Sequence, residues 1–117
     1  MNTSSNSSLV SSSDVNGTEV YGRDGSKIGS VDHLMIDKES GNIAYAVMGF
    51  GGFLGVGEEH QPVPWAKLSY DTDKNGFVTD IVEADVQDAP ERQDNWYNDR
   101  DWERRAYEHY HVAPYWL

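Results

Sequence analysis

Several stretches of the sequence hold residues of the types that do chemistry. Asp71, Asp73, Asn75 and Gly76 follow the opening of a calcium-binding EF-hand loop, D-x-D-x-N-G. Such a loop needs a bidentate glutamate at its twelfth position, which here is Val82, with Glu83 one residue late. Residues 68–70 and 77–81 on either side read as strands, so residues 71–76 are expected to be a hairpin turn. Asp and Asn suit turns because their side chains cap nearby N–H groups. The glycine-rich run at residues 49–57, GFGGFLGVG, suggests a phosphate loop but fails on spacing. G-x-G-x-x-G counted from Gly49 puts Leu54 where glycine is required, and Glu58 and Glu59 would repel phosphate. A wide turn at the rim of a sheet fits better. Its apolar side chains Phe50, Phe53, Leu54 and Val56 are expected to divide, two folding back on the core and two meeting a partner; the sequence does not say which.

Metal and acid–base chemistry fare no better. Glu59 and His60 are adjacent, and adjacent strand residues point to opposite faces. His109 and His111 stand two apart, the wrong spacing for one helix face, and His33 reads as a single surface or capped side chain. Zinc needs three or four converging ligands, so no metal and no cofactor is expected. Ser, His and Asp all occur, yet no G-x-S-x-G elbow does. No catalytic residue is assigned.

The C-terminal residues 91–117 hold seven of the fourteen aromatics. Asn98 or Asp99 is placed to cap a helix running to about His109, with Pro114 stopping any continuation. Trp102, Ala106 and Tyr110, spaced by four, share one face of it. Trp and Tyr are the side chains most enriched at binding hot spots. Trp102, Tyr110, Tyr115 and Trp116 are therefore expected either to cover the chain's own sheet or to lock two chains into a homodimer.

The elements that must position these residues follow from turn signals. Asp24-Gly25, Ser40-Gly41-Asn42 and Asn75-Gly76 separate short runs of strand formers. These runs are residues 19–21, 30–37, 43–50, 61–65, 68–70 and 77–81. In the second, Val31, Leu34 and Ile36 are the apolar positions and Met35 breaks the alternation. The third is almost continuously apolar and reads as a central strand. Five to six short strands predict an all-β fold, a small β-barrel or sandwich, followed by the aromatic-rich helix. Residues 1–13 include seven serines and no charge, and are expected to be a disordered tail. The barrel is assigned to residues 14–90 and the helical tail to residues 91–117.

The net charge is −11, from 20 acidic and 9 basic residues, and there are no cysteines. Residues 14–90 carry 14 of the acids and 5 of the bases. This balance argues against nucleic acid, whose binding relies on clustered Lys and Arg. The missing thiols exclude disulfides and a cysteine nucleophile. With no leader pattern and no long apolar run, the chain is expected to be cytoplasmic and not membrane-inserted.

Residues 20–90 resemble the PRC-barrel family. The matching pieces, in order, are Val20-Tyr21 with Asp24-Gly25, Ile28-Gly29-Ser30-Val31, Leu34 to Asp37, Gly51-Gly52-Phe53-Leu54-Gly55, Val63-Pro64-Trp65 with Leu68, and Asp88-Ala89-Pro90. The ending Pro114-Tyr115-Trp116 is similar to that of short bacterial proteins with one such barrel. Members include the cytoplasmic domain of the photosynthetic reaction-centre H subunit and the C-terminal domain of the ribosome maturation factor. The resemblance implies an adaptor-like barrel that meets protein partners and has no family catalytic residue. The expectation is a non-enzymatic, self-associating protein acting through protein contacts. The alternatives are a small-ligand or ion-binding barrel and a ribosome-associated assembly factor.

Overall fold

The computed structural model describes residues 9–50 and 60–117. A one-turn helix, α1 (Ser12–Val15), precedes strands β1 (Glu19–Tyr21), β2 (Lys27–Ile36), β3 (Ile43–Gly49), β4 (Gln61–Pro64), β5 (Ser69–Asp71) and β6 (Gly76–Val78). A short helix α2 (Glu83–Gln87) and the tail helix α3 (Arg100–His109) follow. The strands form one sheet in the order β4-β3-β2-β1-β6-β5, antiparallel except for the β1–β6 pair. The six strands match the predicted runs within a few residues, and the small all-β architecture is as expected. Residues 71–76 are the β5–β6 hairpin turn, in which the Asp71 carboxylate accepts the Asp73 N–H at 2.9 Å.

Three irregularities in the ladder decide which way side chains point. Between Val31 and His33 the partner strand advances by one residue, so Asp32 is an extra residue on β2. Between Tyr45 and Ile43 the extra residue is Ala44, on β3. Between β1 and β2 it is Ile28. A bulge turns neighbouring side chains toward one face and leaves its own backbone groups outside the ladder. Met35 breaks the sequence alternation just where the Ala44 bulge lies. It packs on the outer face, while Ile36 is 55% exposed.

Two apolar layers result. Inside the curved sheet lie Val20, Ile28, Val31, Ala46, Met48, Val63 and Phe77, closed off by Val15, Phe50, Leu68, Ile81 and Val86. Outside it, Ala44 and Tyr45 of β3 pack against Trp102, Ala106 and Tyr107 of the tail. β3 is thus buried on both faces, which is why its sequence is continuously apolar. Gly29 permits the closest approach, because a Cβ there would lie 2.1 Å from the Gly49 carbonyl oxygen.

At the N-terminus the described residues include part of the segment expected to be a tail. Ser11 caps α1 and Val15 is buried in the barrel, so residues 11–13 belong to the fold rather than to a disordered tail.

Candidate functional site

The C-terminal helix forms where the sequence puts it. The Asp99 carboxylate accepts the Trp102 N–H at 3.1 Å, and Asp101 and Glu103 occupy the first turn, where they favour the helix dipole. The helix ends before Pro114, and not because of it. His111 adopts a left-handed backbone, φ 59°. Val112 N–H then bonds the Tyr107 carbonyl and His111 N–H the Glu108 carbonyl, both at 3.1 Å. This pattern is a Schellman cap with histidine in the position glycine usually fills.

The docked helix is held on three sides. The Ala44 carbonyl, freed by its bulge, accepts the Tyr107 hydroxyl at 2.6 Å. Tyr45 stands at the centre of an aromatic cluster, edge-on to Trp96 at 5.6 Å and tilted against Trp102 and Tyr107 at 5.8 and 5.3 Å. Trp102 also donates its indole N–H to the Pro90 carbonyl at 3.2 Å. At the helix C-terminus Tyr110 enters the barrel core, and His109 bonds the Asp85 carbonyl on α2. Burial pushes the phenols of Tyr45, Tyr107 and Tyr110 well above their ordinary range.

A polar clasp fixes the last residues. Glu103 is 5% exposed; it pairs with Arg100 at 3.0 Å and accepts the Tyr115 hydroxyl at 2.9 Å. The Arg100 guanidinium sits 3.9 Å from the centre of the Trp116 ring. Burial raises the Glu103 carboxyl above its usual range, while Tyr115 and Arg100 pull it back. The Tyr115 phenol, desolvated and bonded to that carboxylate, is pushed up to about 12. Sequence reasoning missed this clasp. Its signal, Arg100 three residues before Glu103 on an amphipathic helix, also fits an exposed ion pair.

The residues named for partner contact divide by burial. Phe50 lies in the barrel core. Trp102 and Tyr110 are buried by their own chain, so neither can meet a second chain while the tail is docked. Tyr115 and Trp116 are partly buried against α3. Phe53, Leu54 and Val56 lie outside the described residues.

Two polar constellations complete the surface. The Asp32 bulge brings Asp32 and His33 side by side, with His33 Nδ1 2.6 Å and His60 Nε2 3.6 Å from the carboxylate. The hydrogen bond from His33 holds the Asp32 carboxyl below its usual range. Among the described residues no group of His, Asp and Glu has metal-holding geometry. Elsewhere an open cleft of about 680 Å³ lies between the β1–β2 turn, the residues before β5 and the end of β6. Arg23, Lys67 and Lys74 line it together with Asp24, Asp71 and Asp80. Lys67 bonds Asp80 at 2.7 Å and keeps that carboxyl below its usual range.

Large apolar side chains stand exposed at a few places. Tyr70 lies on the outer strand β5, Ile36 at the end of β2 and Tyr97 beside Trp96. The opposite edge, β4, is protected by Pro62 and Pro64 and by Arg92, which bonds the His60 carbonyl and the Gln61 side chain. Among the described residues no helix is long and apolar enough to cross a membrane.

No curated protein matches the chain. The PRC-barrel domain family matches residues 8–86, which span the whole six-stranded sheet and reach into α2. With that order of strands and that extent of match, the chain belongs to the PRC-barrel family.

Proposed function

We propose that this is a non-enzymatic, cytoplasmic PRC-barrel protein that acts through contacts with other proteins, in an adaptor or regulatory role, and that it self-associates. One observation carries the reading: the barrel interior is filled by its own side chains. Val20, Val31, Met48 and Val63 are at most 1% exposed and leave the inside as a packed core. Work done by such a barrel falls to its surface, where Tyr70 stands 55% exposed on the edge strand β5. An exposed strand edge with an aromatic side chain suits pairing with a partner's backbone. A photoreactive amino acid in place of Tyr70 tests this in the native cell. A discrete protein adduct at position 70, absent from the same probe at Ser40 on the β2–β3 turn, is expected. Equal labelling at both positions, or none at either, would contradict the reading.

The open cleft favours a second reading, small-ligand binding. Its three cationic and three anionic side chains suit a charged small molecule better than an apolar one. That reading predicts saturable shifts in the amide resonances of Gly22 and Gly25 with a charged metabolite, lost in Lys74→Ala.

A further inference from the structure

The family match ends at residue 86, and Trp96, Trp102, Ala106 and Tyr107, which cover Ala44 and Tyr45 on the outer face of β3, lie beyond it. The barrel nevertheless depends on that cover. Without it Ala44, Tyr45 and Met35 would face water, and the inner core would lose Tyr110. Each barrel needs a tail, and the contacts do not specify whose.

The connection between barrel and tail is slight. Arg92 is tied to β4 through His60 and Gln61, and Trp96 already packs on Tyr45. Between them Gln93, Asp94 and Asn95 are exposed and make a single turn, closed by Trp96 N–H on the Gln93 carbonyl at 3.0 Å. That turn alone sends the tail back to its own barrel. Opened, the four steps from Arg92 to Trp96 reach about 13–14 Å, enough to cross to a barrel placed alongside.

We infer that two copies of this chain associate by exchanging tails, with residues 93–95 as the hinge and the Ala44–Tyr45 face of one copy receiving Trp102, Ala106, Tyr107 and Tyr110 of the other. The inference rests on the self-association reading and names its interface. Every contact described for the docked tail re-forms in the exchanged pair, including the Tyr107–Ala44 hydrogen bond and the indole bond to Pro90. The hinge is the only element that changes conformation. Docking within one chain enjoys an effective concentration on the order of millimolar, so exchange grows with protein concentration and when the hinge can no longer turn back.

The wild-type protein supplies one test. Isotope-labelled and unlabelled chains are mixed at high concentration, warmed to speed exchange and cooled. Isotope-filtered NMR should show contacts between the Tyr107 ring of one copy and the Ala44 methyl of the other. A dimer in sedimentation that lacks these intermolecular contacts would overturn tail exchange and leave self-association to another face. A monomer at every concentration would overturn both. Replacing Asp94 and Asn95 by proline gives the second test, since the pair holds the connection extended and opens the turn without shortening its reach. The substituted variant should sediment at twice the monomer mass with the near-ultraviolet aromatic signal retained. A folded monomer, with its tail docked or loose, would contradict the inference.

Discussion

At the residue scale the most informative group is Glu103, an acid inside an aromatic seam. Arg100, Tyr115, Tyr45 and Tyr107 surround it, and Asp37 at the end of β2 adds a like charge. Its carboxyl is raised by burial, so the folded chain takes up a proton there more readily than the unfolded chain. The stability it contributes is complete below the unfolded value, near 4.5, and declines as pH rises through the higher folded value. Glu19, Asp24, Asp32, Asp37 and Asp80 are lowered and work in the opposite sense, so the comparison needs a variant. Glu103→Gln keeps an acceptor for Tyr115 and removes the titration. Relative to this variant, the wild type should lose stability as pH rises above 4.5 in denaturant melts; a difference that does not change with pH would refute the assignment. Removing the cation instead, by Arg100→Ala, should cost about 1–3 kcal/mol. That is less than for a fully buried pair because Arg100 is half-exposed. Tyr107→Phe should cost a similar ~1–3 kcal/mol, since it strands the Ala44 carbonyl.

At the element scale the tail helix decides the architecture. Trp102→Ala should destabilise by about 3–5 kcal/mol, a large part of the ~5–15 kcal/mol of a small domain. His111→Gly should stabilise by about 0.5–1 kcal/mol, because glycine takes the left-handed cap without steric cost. An unchanged or lower melting temperature would contradict that reading of the cap. Much of this element was legible in the sequence. The Asp99 cap, the end near His109 and the Trp102–Ala106–Tyr110 face are all local signals, set by spacing and side-chain type. The end at His111 was less legible, since a histidine in a glycine position is fixed by what surrounds it. The bulges at Ile28, Asp32 and Ala44 were hidden for a related reason. An extra residue is defined only against a partner strand, and the sequence of one strand does not contain it. The bulges explain three placements that the sequence left open: Ile36 faces out, Met35 packs under the tail, and Asp32 meets His33 although they are neighbours on one strand. The clasp was illegible because the burial of Glu103 depends on the return of Tyr115 and Trp116 across α3.

At the scale of the whole molecule, charge and layering set what the protein meets. With a net charge of −11, it should not bind RNA or DNA at micromolar concentration in ~150 mM salt. Fluorescence anisotropy checks this, and a saturable signal would contradict it. The barrel and tail together make three layers, the packed interior, the sheet and the aromatic cover, and the account stands on these being one folded unit. Native-state hydrogen exchange tests that claim most directly. The amides of Ala106 and Tyr107 in α3, and of Tyr110 that caps its end, should exchange only through global unfolding, with the same protection as Ala46 and Met48 in β3. Tail amides that exchange orders of magnitude faster than those of β3 would show the tail to be a separate appendage and contradict the account.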